Sequence, residues 1–171
     1  MDRVQTRKLP RGLPGLSFLS MEGKGADSHR RIEVPANQTV GDVGEFGLIE
    51  IIKKIVAVKD EALVVGPGDD TAAWKPTQGA LTLATCDIQV QGVHFLPENI
   101  TPSQLGRRAA AINLSDIAAM GGRPRYALVS LALPKETMVS WVVQLYQGLS
   151  EQTSQFGAAV IGGNLSATSG P

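Results

Sequence analysis

The sequence predicts an α+β fold, a mixed β-sheet covered by helices. Short apolar runs of strand length interleave with segments of helical period. Glycine and proline pairs separate these runs. Hydrophobic residues make up 43% and charged residues 19% of the 171 residues, enough for one ordinary domain with a substantial core.

Residues 1–40 are expected to be a disordered extension, and residues 41–171 the ordered domain. Residues 1–31 carry Arg3, Arg7, Lys8, Arg11, Lys24, Arg30 and Arg31 against Asp2, Glu22 and Asp27, with no sustained period. A continuous apolar h-region is missing, which argues against a secretory signal, and the acidic residues argue against a transit peptide. Met21 is a second candidate start.

From Gly44, Phe46, Leu48, Ile49, Ile52, Ile55 and Val56 recur at helical spacing, and Lys59-Asp60-Glu61 ends that helix. A short strand follows at 63–65. Gly66-Pro67-Gly68-Asp69-Asp70 must be a loop, because two glycines and a proline defeat both ladders. Residues 80–85 read as a buried strand and 88–93 as an alternating one, with a connection at 97–101. Thr101-Pro102-Ser103-Gln104 is a helix start with N-cap, proline at the first position and a capping-box glutamine. That helix runs to about Met120 and stops at Gly121-Gly122. Residues 126–133 form an apolar strand. After Pro134 comes a long helix with a stripe of Met138, Trp141, Val142, Leu145 and Leu149. Gly157 closes it, and 158–161 is a last buried strand. The glycine-rich end, 162–171, reads as a loop with nothing to anchor it, as in a protein cut short.

Lys plus Arg and Asp plus Glu are balanced at 16 each, so no bulk field argues for nucleic acid or an anionic membrane surface. Cys86 is the only cysteine, which excludes an internal disulfide, argues against structural zinc and fits a reducing cytoplasm. No apolar run is long enough to span a bilayer.

Candidate chemistry rests on acidic residues. At about 100° per residue, Leu105, Ala109, Ile112, Asp116, Ala119 and Met120 share one face of their helix to within roughly 60°. The opposite side is nearly as apolar, so the helix is expected to be buried and Asp116 to need a cation. That cation is either an arginine (Arg107, Arg123 or Arg125) or a bound metal. Asp87, at a strand end, is a metal ligand or a turn cap. Asp69 and Asp70 form a solvated turn or share a divalent ion. His94 is structural or catalytic, and Gly162-Gly163 is a phosphate contact or an ordinary turn. Hard carboxylates on separate elements, without a Cys or His cluster, suit Mg²⁺, and glycine-rich loops beside them suggest nucleotide phosphates.

In order along the chain stand Gly44-Glu45-Phe46-Gly47-Leu48-Ile49, Gly68-Asp69-Asp70, Asp87, Gly92-Val93-His94-Phe95, Asn113 to Gly121 as NLSDIAAMG, and Ile161-Gly162-Gly163. Together they resemble the thiamine-monophosphate kinase family, within the superfamily of aminoimidazole ribonucleotide synthetase and selenophosphate synthetase. The resemblance implies the N-terminal domain of that superfamily, with the family's C-terminal domain absent. It implies ATP-dependent phosphorylation of thiamine monophosphate, Mg²⁺, and a homodimer through the N-terminal sheets. It assigns Asp70, Thr85, Asp87, Asp116 and Asn164 to metal, with Asp87 and Asp116 as the catalytic pair. Gly163 and Asn164 would meet ATP phosphates and His94 the substrate. Asn164 stands where the family has aspartate, and Cys86 where it has threonine; an uncharged amide and a soft thiol both weaken binding of a hard cation. Two alternatives are another ATP-using enzyme of the superfamily and a non-catalytic nucleotide-binding or dimerisation module.

Overall fold

The computed structural model describes residues 18–21, 32–35 and 37–170. It is α+β, with the strands in three two-stranded ladders among the described residues. Within the expected extension, β1 (Phe18–Met21) and β2 (Ile32–Pro35) pair antiparallel; the rest of 1–36 lies outside the described residues.

Helix α1 (Val40–Ile55) starts four residues before the apolar period does, because Thr39 caps it. The Thr39 hydroxyl accepts from the Asp42 N–H at 3.3 Å, and Asp42 Oδ2 accepts from the Thr39 N–H at 2.8 Å. The helix kinks at Gly44, whose φ of 66° suits glycine. Strands β3 (Leu63–Val65) and β4 (Ala73–Trp74) pair antiparallel around the glycine-rich loop. Asp60 ties this hairpin to the next strand. Its Oδ2 accepts from Tyr126 Oη at 2.6 Å and from Arg125 Nη2 at 3.1 Å, and its Oδ1 from the Ala62 N–H at 2.9 Å. The Tyr126 bond, then the Ala62 bond, hold the Asp60 carboxyl below its usual range.

Helix α2 (Pro102–Ala119) begins at the expected capping box and ends before Gly121, whose φ is 69°. Strand β5 (Tyr126–Leu133), helix α3 (Val139–Gln155) and strand β6 (Ala159–Ala167) form a parallel β-α-β unit, with Tyr126 opposite Ala159 and Leu133 opposite Ala167. The core lies where α3 meets α1, α2 and this sheet; Val139, Val142, Val143, Leu145, Tyr146 and Leu149 are buried there with Leu48, Ile52 and Val160. Two glycines permit the α2–α3 approach. A Cβ on Gly106 would strike the Leu145 carbonyl oxygen, and one on Gly148 the Ser103 carbonyl oxygen.

Four expectations fail. Residues 80–85 and 88–93 form no strand, since no segment of the described chain lies alongside to complete a ladder. They are not buried either, with Leu81 94% exposed and Leu83 41%. Residues 162–167 are not a loose end, because they continue β6 against β5. Met138 is the N-cap of α3 and 38% exposed, so Val139 takes its place in the buried stripe. Asp116 is exposed. Helix α2 buries only Leu105, Gly106 and Ala110, all in its first half, and the turn that carries Asp116 stays open to solvent.

Candidate functional site

The segment at 83–87 runs along the outer half of α2 and brings Thr85 to Asp116 and the Asp87 backbone to Asn113. The Leu83 and Thr85 side chains and the Asp87 backbone each touch α2 or the turn after it. Leu83 Cδ1 lies over Gly122, 2.7 Å from where a Cβ would stand. Thr85 Oγ1 donates to Asp116 Oδ2 at 2.8 Å. The Asp87 N–H donates to Asn113 Oδ1 at 2.9 Å, while Asn113 Nδ2 donates to the Ala109 carbonyl at 3.0 Å. Asn113 is therefore clamped between helix and segment. Its motif was visible in the sequence, but nothing there separated it from an exposed helical amide; its position three residues before Asp116 was the available signal.

Neither arginine proposed as a partner and found in an ion pair reaches Asp116. Arg107 pairs with Glu151 on α3, and Arg125 with Asp60; Arg123 makes no ion pair among the described residues. The Asp116 carboxylate is answered by a hydroxyl instead.

A second group forms around the glycine-rich loop. The Asp70 N–H donates to Asp69 Oδ1 at 2.9 Å, and the Asp70 carboxylate faces solvent. Two residues on, the Ala72 methyl lies 3.6 Å from the Cβ position of Gly162, which places this loop beside the Gly162-Gly163-Asn164 run. Gly163 and Asn164 sit in β6, opposite Val129 and Ser130. Gly163 has a φ of 154°, and any Cβ there would strike the Val129 carbonyl, so the glycine serves the close strand approach. Asn164 Nδ2 donates to Ser166 Oγ at 3.1 Å.

His94 Nδ1 accepts from the Val90 N–H at 3.0 Å, so the neutral ring carries its proton on Nε2. The residue lines an open groove of about 460 Å³ with Phe95, Asn99, Ile100 and Arg108.

Among the described residues no three His, Cys, Asp or Glu side chains converge as a metal cluster, so Asp70, Asp87 and Asp116 do not meet within one chain as a ready-made triad. The Thr85 hydroxyl and the Asp116 carboxylate are hard oxygen donors of the kind a small hard cation takes, and their 2.8 Å separation is that of an ordinary hydrogen bond.

Residues 68–171, more than half of the chain, match the family model described as AIR synthase related protein, N-terminal domain. The chain belongs to that family. Similar curated proteins include thiamine-monophosphate kinase from Aquifex aeolicus (strain VF5), 42% identical over 73% of this chain and 38% of that protein. Another, from Synechococcus elongatus, is 36% identical over 77% of this chain and 38% of that protein. A crystal structure of thiamine-monophosphate kinase from Stenotrophomonas maltophilia K279a superposes with a TM-score of 0.63 at 33% identity, covering 73% of this chain and 39% of that one. The chain thus spans well under half the length of these relatives. No helix among the described residues is long and apolar enough to cross a membrane.

Proposed function

We propose that this chain supplies the nucleotide- and metal-binding part of an enzyme that transfers a phosphoryl group from ATP to thiamine monophosphate. The single observation that carries the reading is the 2.8 Å approach of Thr85 Oγ1 to Asp116 Oδ2, across 31 residues of sequence, in a chain whose relatives are thiamine-monophosphate kinases. Thr85 and Asp116 would hold Mg²⁺, with Asp70, Asp87 and Asn164 joining them where the nucleotide or a second copy of the chain brings these groups together, and the ion when bound neutralises charge between two phosphate groups. The protein's own task is positioning. Asn113 fixes the Asp87 backbone to α2, so that Asp87 and Asp116 are presented from one rigid surface. Gly163 and Asn164, on a paired strand, meet the ATP phosphates. His94, with Nδ1 taken by Val90, offers Nε2–H to the acceptor. The acceptor atom is a phosphate oxygen already ionised near neutral pH, so the site has to orient it rather than deprotonate it.

A homodimer in the cytoplasm completes the proposal. Residues 80–90 have no strand partner among the described residues, and Leu81, Leu83 and Ile88 are exposed along them. An unpaired apolar edge of this kind is suited to pairing with a second copy.

Calorimetric titration with Mg-ATP tests the functional reading. The wild-type chain is expected to bind, and Asp116→Asn to bind at least about tenfold more weakly, the loss of one charge-assisted contact, with an unchanged far-ultraviolet circular dichroism spectrum. Equal affinity would remove Asp116 from the site.

A further inference from the structure

We propose that Lys53 is a binding residue for the phosphate group received at the Gly68–Asp70 loop, an inference that rests on the functional reading above. Lys53 lies in the last turn of α1, and its side chain is laid across Gly68. A Cβ there would stand 2.9 Å from Lys53 Nζ, 3.0 Å from Cε and 3.1 Å from Cδ. Glycine at 68, with a φ of 108°, is what lets an ammonium come so close to the loop backbone.

Glu50 Oε1, at 2.8 Å, takes one of the three ammonium protons and aims the group. Neither Asp69 nor Asp70 forms an ion pair with Lys53, so the loop's own carboxylates do not consume the cation. Its side chain is 38% exposed, so the ammonium beside the loop is not sealed off from solvent. The same loop adjoins Gly162, the start of the run that would meet ATP phosphates. A lone lysine and glutamate at this helical spacing contribute little to stability, and that pair alone gives no reason for an ammonium at this glycine. A phosphate oxygen does.

The role has a signature that loop support lacks. A positive charge beside Asp69 and Asp70 opposes a bare divalent cation and attracts a phosphate ester. Calorimetry on the 171-residue chain should therefore show Lys53→Met binding Mg-ATP at least about tenfold more weakly, as for one lost contact to a charged group. The same variant should bind Mn²⁺ alone no more weakly than wild type. Lys53→Arg should recover most of the Mg-ATP affinity. Wild-type Mg-ATP binding that Lys53→Met leaves unchanged would overturn the role of Lys53 alone, as would equal loss of Mn²⁺ and Mg-ATP, the mark of a collapsed loop. A wild-type chain that binds no Mg-ATP overturns the functional reading and this role with it.

Discussion

Replacing Gly148 with alanine adds one methyl group where α3 crosses α2. The added carbon would overlap the Ser103 carbonyl oxygen, and it would stand 2.8 Å from the carbonyl carbon and 3.0 Å from the Ser103 Cα. Carbon atoms rest at about 3.5–4.0 Å, so the helices must part by about 1 Å. All three neighbours are backbone, so no rotamer change can absorb the strain. Insertion into a packed core costs about 1–3 kcal/mol. Against this, alanine in a helix interior is favoured over glycine by about 1 kcal/mol. The net expectation is a loss of up to about 2 kcal/mol, or up to a few degrees in Tm for a domain of this size. Urea unfolding of the wild type, Gly148→Ala and the double variant with Gly106→Ala measures it. The double loss should fall short of the sum, because one displacement of α2 relieves both clashes. A Gly148→Ala chain stabilised by about 1 kcal/mol, as helix propensity alone requires, would refute the close crossing.

Thr101→Ala removes the hydroxyl that accepts from the Gln104 N–H at 3.3 Å and should cost about 1 kcal/mol, read from the same urea midpoints. Burial pushes the Tyr146 phenol up to about 12 from its ordinary value of 10.0. The raised value means the folded chain favours the neutral phenol, so this stability is whole below pH 10 and is lost as pH climbs through about 12. Two units correspond to on the order of 3 kcal/mol. Tyr146→Phe should therefore lose less stability than wild type between pH 10 and pH 12, and parallel curves would contradict the assignment.

Helix boundaries were legible wherever local chemistry sets them. Thr101, Pro102 and Gln104 open α2, and Gly121 and Gly157 follow the ends of α2 and α3, because capping and positive φ involve neighbours in sequence. Thr39 and Asp42 opened α1 by the same chemistry, but its apolar period begins only beyond the Gly44 kink, and that period masked the cap. Pairing was less legible. Residues 80–85 have strand character but no partner in the described chain, while 162–167 look like a loop and are held by β5. A ladder depends on what lies alongside, and composition does not record that.

The site divides in the same way. The helical period placed Asp116 correctly with Ile112 and Ala109, yet burial of that face depended on where α3 crosses, which the period does not encode. The segment read as a buried strand at 80–85 is no strand, yet it passes along α2 and brings Thr85 to Asp116 and the Asp87 backbone to Asn113. Lys53 carried no signal, since its meaning arises only from the approach of α1 to Gly68.

Crystals of the chain grown with Mn²⁺ and a non-hydrolysable ATP analogue would test the metal site most directly through the anomalous signal of manganese. A peak within ligand distance of the Asp116 carboxylate and the Thr85 hydroxyl is expected. Clear density for the nucleotide, with manganese bound elsewhere and the Thr85–Asp116 hydrogen bond intact, would contradict it.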